Sequence, residues 1–226
     1  MPDRAVIFDL DGTLVDTAPD LMRATNHVLE GLGRRPVGLD EVRVFAGHGA
    51  RAMIERGLAA TGGMPDGFDV EPHFRAFIAS YAADIAGNSV MFPGVLVLLE
   101  RLQREGIAMG VCTNKRKSLS LALLDALGMS KYFGSVVGAD TLGISKPDPR
   151  PFHESVKRLG LRVPNAILVG DSEIDVLTAR AANVPVICVS FGYTPRPIAE
   201  YGPDRIIGHF DECWQAIQEL FEQQES

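Results

Sequence analysis

The sequence contains few cysteines, which limits the classes of protein it can belong to. Its 226 residues include three, Cys112, Cys188 and Cys213, too few and too widely spaced for a disulfide framework or a cysteine-rich metal site. Apart from His48, the histidines are scattered without the spacing of metal ligands. This composition excludes a small disulfide-rich secreted domain and suits a reducing compartment, so we expect a cytoplasmic protein.

Positive charge and long apolar runs are also scarce. There are 22 Lys and Arg against 29 Asp and Glu, a net charge of −7, which argues against a nucleic-acid partner. No segment approaches the ~18 consecutive apolar residues of a membrane span, and the opening "MPDRAVIFD" lacks the basic, apolar lead of a signal peptide. We therefore expect neither a nucleic-acid nor a membrane partner, and any anionic ligand must be bound locally.

Short apolar runs alternate with helix-length segments along most of the chain. With 46% hydrophobic and 23% charged residues, the composition is that of a globular protein with a substantial core. The runs "AVIF", "IAMGVC", "SVVGA", "AILVG" and "VPVICVS" are typical of buried parallel strands. This alternation predicts an α/β fold with a doubly wound parallel sheet, whose ligand site lies at the carboxyl ends of the strands.

The alternation is interrupted once. Between residues 17 and 89 the pattern predicts helices near 19–32, 39–46, 49–61 and 71–86 and no buried strand. We interpret residues 17–89 as a helical cap domain inserted into a catalytic core made of residues 1–16 and 90–226. A cap at this position would cover the ends of the strands.

The stretch "VIFDLDGTLVDT" places acidic residues directly after an apolar strand. Asp9 and Asp11 are two residues apart, so an extended backbone points both carboxylates towards one site, where a divalent cation or a strong donor must offset their repulsion. Thr13 is placed to bond the local backbone, and Asp16 suits a hinge or helix start rather than catalysis. A helix cap or acidic turn is the structural alternative, although one acid would suffice for it.

Three further strand ends carry polar side chains. "GVCTNK" ends in Thr113 and Asn114, "GISKPD" contains Lys146, and "LVGDSEID" contains Asp171 with Asp175 one helical turn later. Each has an ordinary alternative as a helix cap, a solvated loop cation or a first-turn acid. Four such ends in one chain favour a single site that binds a phosphate and a cation.

The ordered set "DLDGT", "CTN", "KP" and "GDSEID" resembles the four motifs of the haloacid dehalogenase superfamily, and the helical insert resembles its type 1 cap. Within the superfamily, "TNK", "FAGHGARAMIERGL" and "FGYTPRPIAEYGPDRII" are most similar to phosphoglycolate phosphatases, although pyrophosphatases and sugar-phosphate phosphatases share parts of these patterns. The resemblance implies a Mg²⁺-dependent phosphatase whose partner is a small phosphorylated metabolite, with 2-phosphoglycolate as the expected substrate.

The resemblance also implies roles for the strand-end acids. Asp9 would be the nucleophile that forms an aspartyl-phosphate, and Asp11 the general acid and base. Mg²⁺ would be held by the Asp9 carboxylate, the backbone carbonyl of Asp11 and Asp171. True dehalogenases resemble this core but lack an acid at the second position, so Asp11 favours phosphate chemistry.

The remaining motif residues would bind phosphate or hold other groups in place. The resemblance implies that Thr113, the backbone at Asn114 and Lys146 bind the phosphoryl oxygens. It also implies that Asp175 orients Lys146 or the metal shell.

Substrate selection is expected from the cap. Arg43, His48, Arg51 and Arg56 lie in or beside "FAGHGARAMIERG", and Lys115 lies beside the phosphate-binding motif. Any of these cations could bind a substrate carboxylate, and an arginine could do so with two parallel hydrogen bonds. Arginines at helical spacing also commonly form a solvated face, which is the alternative for each of them.

Other functions stay open from the sequence alone. A phosphomutase would need a cap acid or base that is not evident. A signalling receiver domain gathers similar residues around Mg²⁺ but has about half this length and no insert. A scaffold protein without activity has no reason to keep Asp9, Asp11, Lys146 and Asp171 together. The sequence leaves open whether the protein is a monomer or a homodimer.

Overall fold

The chain forms a six-stranded sheet flanked by helices. The computed structural model describes residues 3–225. Its strands are β1 (Ala5–Phe8), β2 (Val15–Asp16), β3 (Val90–Met91), β4 (Ala108–Cys112), β5 (Ser135–Val137), β6 (Ala166–Gly170), β7 (Val186–Val189) and β8 (Arg205–Ile207). Its α-helices are α1 (Ala18–Gly31), α2 (Leu39–Phe45), α3 (Ala50–Ala60), α4 (Val70–Ala83), α5 (Val95–Arg104), α6 (Lys117–Ala126), α7 (Arg150–Arg158), α8 (Glu173–Ala182) and α9 (Cys213–Glu225).

The main sheet has the order β5-β4-β1-β6-β7-β8, and all its neighbouring strands are parallel. The first strand in the chain lies inside the sheet, because later strands add on both of its sides. This arrangement confirms the predicted doubly wound α/β fold. It also places the ends of β4, β1 and β6 side by side, and Lys146 follows β5 in the neighbouring loop.

Strand β1 is buried on both faces, which explains its uninterrupted apolar sequence. Val6 and Phe8 belong to one hydrophobic layer of the core, whereas Ala5 and Ile7 belong to the layer on the opposite face. This is the alternation that a strand imposes on successive side chains. A strand so enclosed has little freedom to shift its register, and the residue that follows it is therefore well fixed in space.

Helices α1–α4 form the helical insert and agree with the four predicted helices to within three residues at each end. They pack around a hydrophobic cluster of their own that includes Leu29, Ile54 and Phe77. The insert follows β2 and precedes β3, and these two strands pair antiparallel, with Asp16 opposite Val90. This ribbon joins the two ends of the insert. The assignment of residues 17–89 as a separate cap domain stays a prediction, which this packing supports.

The structure contains strands that the sequence pattern did not predict. Strand β8 lies at one edge of the main sheet and has three residues, of which Ile207 alone is buried. Strands β2 and β3 have two residues each. Segments this short show neither a buried run nor a clear alternation of apolar and polar residues, and hydropathy patterns therefore miss them.

Cys112, Cys188 and Cys213 are all buried as free thiols. This agrees with the expectation that the cysteines form no disulfide framework. None of the helices within residues 3–225 combines the length and apolarity needed to cross a bilayer.

Candidate active site

The predicted site residues meet at the carboxyl end of the sheet. Asp9 follows β1, Thr113 follows β4 and Asp171 follows β6, the two strands that pair with β1. The backbone N–H of Asp9 still donates to the Val169 carbonyl at 2.8 Å, which continues the strand ladder one residue past β1. Parallel pairing therefore brings together side chains that are far apart in the sequence.

Lys146 lies among the acids and is itself buried, with 2% of its side chain exposed. Its Nζ is 2.6 Å from Asp175 Oδ1 and 3.1 Å from Asp9 Oδ1. Burial would lower the pKa of Lys146, but the carboxylates of Asp175 and Asp9 outweigh that effect and the pKa is raised. The lysine is therefore a permanent cation beside the predicted nucleophile.

Three buried carboxylates lie together beside this one cation, which contacts Asp9 and Asp175. Oxygens of Asp9, Asp171 and Asp175 lie within 4.8 Å of one another. Burial raises the pKa of Asp9 to about 6, with Lys146 opposing the rise and Asp175 and Asp11 adding to it. Burial, Asp175 and Asp9 likewise raise the pKa of Asp171 well above its usual range. The cluster thus carries more negative charge than the lysine offsets.

The donor set fits a hard divalent cation. Asp9 Oδ1 has no hydrogen-bond partner among residues 3–225, because Lys146 Nζ lies at ion-pair distance without the angle of a hydrogen bond. An orphaned buried carboxylate oxygen beside a second buried acid, Asp171, is the kind of ligand that Mg²⁺ takes. Asp175 lies in the same cluster, although its oxygens are already used by other donors.

Asp175 is held by hydrogen bonds on both of its oxygens. Oδ1 accepts from Lys146 Nζ, and Oδ2 accepts from Ser172 Oγ at 2.7 Å, from Ser172 N at 3.1 Å and from Asp171 N at 3.2 Å. These bonds tie the first turn of α8 to the lysine. This geometry supports the predicted role of Asp175 in orienting Lys146.

Asp171 is fixed by partners that the sequence did not predict. Its Oδ1 accepts from Thr13 Oγ1 at 3.1 Å, and its Oδ2 accepts from Tyr193 N at 2.6 Å. We expected Thr13 to bond the local backbone, and that expectation is wrong: its hydroxyl bonds a carboxylate 158 positions away. Gly12 allows this approach, because a Cβ at that position would lie 2.5 Å from Asp171 Oδ2.

Asp11 points to a different set of partners from Asp9. Both of its oxygens contact Lys115 Nζ, at 2.8 and 2.9 Å, and Oδ1 also accepts from Thr17 Oγ1 at 2.7 Å. Burial would lower the pKa of Lys115, but the carboxylate of Asp11 outweighs that effect and the pKa is raised. The Asp11 carboxylate is therefore held away from the three-acid cluster, and the metal contact through its backbone carbonyl stays a prediction.

Thr113 and Asn114 line the site in different ways. The Thr113 hydroxyl accepts from Lys115 N at 3.2 Å and keeps its own proton to donate to a ligand. The Asn114 amide donates to the carbonyls of Gly47 and Lys146 and accepts from Lys146 N at 2.8 Å. The Asn114 side chain therefore holds the lysine loop and touches the helical insert. Phosphate binding through the Asn114 backbone stays a prediction.

A cavity of about 300 Å³ lies between the helical insert and the core. Its lining includes Asp9 and Asp11 from the core together with His48 and Arg51 from the insert. Lys115 lines the same space. A volume at the low end of ligand sites suits a small substrate.

Two of the predicted specificity residues have partners elsewhere. Arg43 forms ion pairs with Asp16, at 3.2 Å, and with Asp40, at the joint between insert and core. Arg56 donates to the carbonyls of Val44 and Phe45. Arg43 therefore joins the insert to the core, and Arg56 joins two segments of the insert.

Arg51 and His48, which line the cavity, also interact with other residues of the insert. Arg51 pairs with Glu71 and lies over the ring of Phe74 at 4.6 Å. Burial and the nearby Arg56 lower the pKa of His48, which favours its neutral form.

Sequence reasoning missed two tyrosines. Tyr193 donates through its hydroxyl to Asp16 Oδ1 at 2.5 Å while its backbone N–H donates to Asp171, so one residue contacts both the ribbon formed by β2 and β3 and the three-acid cluster. Tyr81, on α4, is fully buried beside Lys115. The stretch "FGYTP" already drew attention to Tyr193 through the family resemblance, but no local pattern in the sequence indicates either contact.

Known proteins resemble this chain in sequence and in structure. A family model described as haloacid dehalogenase-like hydrolase matches residues 6–189. A phosphoglycolate phosphatase of Caulobacter vibrioides is 46% identical over 205 residues, covering 91% of this chain and 86% of that protein. One of Mesorhizobium japonicum is 42% identical over 206 residues, covering 91% of both chains. A crystal structure described as a predicted phosphoglycolate phosphatase from Haemophilus somnus superimposes with a TM-score of 0.89 at 28% identity, covering 95% of this chain and 97% of that one.

Proposed function

We propose, because this chain belongs to the haloacid dehalogenase-like hydrolase family, that it is a Mg²⁺-dependent phosphatase whose substrate is 2-phosphoglycolate. The substrate is the one in the names of the relatives described above. The single observation that carries the proposal is the convergence of Asp9, Lys146 and Asp171 from separate parts of the chain on one buried cluster, from which Asp9 faces a small cavity. The products would be glycolate and phosphate.

Asp9 is the nucleophile of the proposed reaction. Its carboxylate attacks phosphorus, the bond to the bridging oxygen breaks, and an aspartyl-phosphate forms. Lys146, 3.1 Å from Asp9 Oδ1, offsets negative charge as the phosphoryl group approaches. The Thr113 hydroxyl would donate to a phosphoryl oxygen. Asp175 keeps the lysine in position through its 2.6 Å contact.

Asp11 moves the protons of the reaction. In the first step the protonated form of Asp11 donates its proton to the bridging oxygen of the leaving glycolate, and in the second the resulting carboxylate takes a proton from the water that attacks the aspartyl-phosphate, which restores the protonated form. The two steps together consume one water and regenerate the Asp9 carboxylate. Thr17 and Lys115 hold the Asp11 carboxylate at its place beside the cavity.

Asp9 and Asp171, with the backbone carbonyl of Asp11, would hold the Mg²⁺. Thr13 and the Tyr193 backbone orient Asp171 for this purpose. When bound, the ion supplies positive charge that neutralises the phosphate and the nucleophile so that they can approach each other.

Phosphate release measures this proposal directly. We expect 2-phosphoglycolate to be hydrolysed well above sugar phosphates, nucleotides and pyrophosphate, with activity lost in chelator and restored by Mg²⁺. Asp9→Asn should abolish turnover while the far-UV spectrum stays unchanged. Asp125→Asn, an exposed aspartate on α6, is the matched control and should keep full activity. Turnover by Asp9→Asn at the wild-type rate would refute the nucleophile, and a preferred sugar phosphate or pyrophosphate would refute the substrate.

A further inference from the structure

The cavity contains one buried cation that phosphate binding does not use. Lys146 is committed to Asp9 and Asp175, and Arg51 is half exposed and paired with Glu71. Lys115 differs from both, because its side chain is 5% exposed and points into the space beside Asp11. An ammonium has three N–H donors, so its two contacts with the Asp11 oxygens leave a donor for a ligand.

A second unused donor lies beside this lysine. Tyr81 is fully buried and lines the same cavity, with Lys115 Nζ 4.4 Å from the centre of its ring. Its hydroxyl has no hydrogen-bond partner within the described part of the chain. Burial raises the pKa of Tyr81 to about 12, so the phenol keeps its proton and acts as a donor. A buried donor left without an acceptor is costly unless a ligand supplies one.

We propose that Lys115 and Tyr81 together bind the carboxylate of the substrate, so that the enzyme selects small phosphorylated carboxylic acids. This inference rests on the proposed phosphatase function and assigns its specificity to two named side chains. A cation and a neutral donor side by side match the two oxygens of a carboxylate. Lys115 was one of several predicted candidates, and Tyr81 was not predicted at all.

The position of Lys115 beside Asp11 fits the shape of a two-carbon substrate. In 2-phosphoglycolate a single methylene separates the bridging oxygen from the carboxylate. The group that protonates the bridging oxygen must therefore lie next to the group that binds the carboxylate. Lys115 Nζ lies 2.8 Å from Asp11 Oδ1, which satisfies this condition.

The part of the cavity wall near Tyr81 disfavours larger polar substrates. Leu21, Phe77, Ile78 and Leu119 line it near Tyr81 and offer no hydrogen-bonding side chain. The hydroxyls of a sugar phosphate would lose water there without gaining a partner, and such a loss is unfavourable. The apolar wall and the paired donors thus favour the same class of small acid.

The test compares two substrates that differ in the carboxylate. Ethyl phosphate has the bridging oxygen and two carbons of 2-phosphoglycolate but no charge at the far end. We expect the wild type to have a much higher kcat/KM for 2-phosphoglycolate. Lys115→Met should reduce the ratio of the two kcat/KM values by about 10- to 100-fold, and Tyr81→Phe by about 5- to 10-fold. The ratio cancels any general loss of activity caused by disturbing Asp11.

Two further variants distinguish Lys115 from the other cations of the protein. Lys131→Met removes an exposed lysine that also lies over a tyrosine ring, that of Tyr132, and should leave the ratio unchanged. Arg51→Met tests a competing cation that lines the cavity. Loss of the preference in Arg51→Met, with the preference kept in Lys115→Met, would overturn the proposal and place the carboxylate at the cap arginine.

Ligand binding can be measured in variants whose activity is too low to assay. In an Asp9→Asn background with Mg²⁺, calorimetry should show that Lys115→Met weakens 2-phosphoglycolate binding by at least 10-fold while inorganic phosphate binding changes less than 3-fold. Equal weakening of both ligands would refute the carboxylate site. If the wild type itself shows no preference for 2-phosphoglycolate over ethyl phosphate, the proposed substrate fails. If that preference exists but survives Lys115→Met and Tyr81→Phe, this assignment alone fails.

Discussion

Removal of one charge from the three-acid cluster should stabilise the metal-free protein. Asp9 is 5% exposed and shares Lys146 with Asp175, so its ionised form is unfavourable in the folded state. Its pKa rises from the ordinary 3.8 to about 6. A carboxyl group whose pKa is higher in the folded than in the unfolded protein reduces stability as the pH rises between these values. The reduction is complete above pH 6 and amounts to about 3 kcal/mol.

Asp9→Asn removes this cost because an amide stays neutral at every pH in the assay. At pH 7.5 and without metal, we expect the variant to exceed the wild type in free energy of unfolding by up to about 3 kcal/mol, which corresponds to a rise in Tm of about 6–10 °C. At pH 4.5 most of the folded wild type carries a proton on Asp9, so the difference should shrink to about 1 kcal/mol. The variant would at the same time be inactive.

Urea denaturation after chelation, at both pH values, measures these differences. Added Mg²⁺ should stabilise the wild type more than Asp9→Asn and so close the gap, because the wild-type carboxylate then has its cation. Asp125→Asn, at an exposed position on α6, should show no difference from the wild type at either pH. A metal-free Asp9→Asn variant that is less stable than the wild type at pH 7.5 would refute this account of the cluster.

Three further substitutions test how the site is held together. Gly12→Ala places a Cβ 2.5 Å from Asp171 Oδ2 at a φ of +81°, and should lower Mg²⁺ affinity about 10-fold in calorimetric titration. Tyr193→Phe removes the hydroxyl that bonds Asp16 and should reduce the free energy of unfolding in urea by about 1–2 kcal/mol, with the Asp171 contact kept through the backbone. Lys146→Met leaves buried carboxylates without their cation and should destabilise the metal-free protein in urea by about 3–5 kcal/mol at pH 7.5.

Each of these variants has a matched control. Gly106→Ala has a similar φ of +70° with open space around the added Cβ, so it isolates backbone strain from the clash and should leave Mg²⁺ affinity unchanged. Tyr201→Phe removes a hydroxyl from an exposed pair with Arg196, and Lys131→Met removes an exposed lysine. Equal effects in a variant and its control would contradict the role assigned to the corresponding contact.

The strand-end residues could be predicted because the relevant signals are local. Asp9, Thr113 and Asp171 each follow a fully apolar strand, and parallel strands bring their carboxyl ends to one edge of a sheet. A sequence pattern that identifies the strands therefore also identifies the side chains that meet at this edge of the sheet. The sequence did not predict strand β8, because one of its three residues is buried and the segment therefore shows no buried apolar run.

Contacts between distant side chains could not be predicted in the same way. The hydroxyl of Thr13 suits several local bonds, and nothing in its neighbourhood indicates an acceptor at Asp171. Tyr193 is similar, because an aromatic residue after the last long strand is compatible with ordinary packing. Its contacts with Asp16 and Asp171 depend on where the loop after β7 lies against the ribbon formed by β2 and β3.

The cap cations show why residue type alone is a poor guide to substrate binding. Arg43 and Arg51 offered positive charge at suitable places in the sequence, yet the fold pairs them with Asp16 and Glu71. The two side chains of an exposed ion pair stay largely hydrated, so the free energy changes little when the pair forms or breaks. Such a pair therefore discriminates weakly between ligands. Lys115 is buried, and a ligand that reaches its free N–H meets a charge that water barely screens. In the proposed carboxylate site, selectivity would therefore follow from burial and unused donors, which only the packed structure determines.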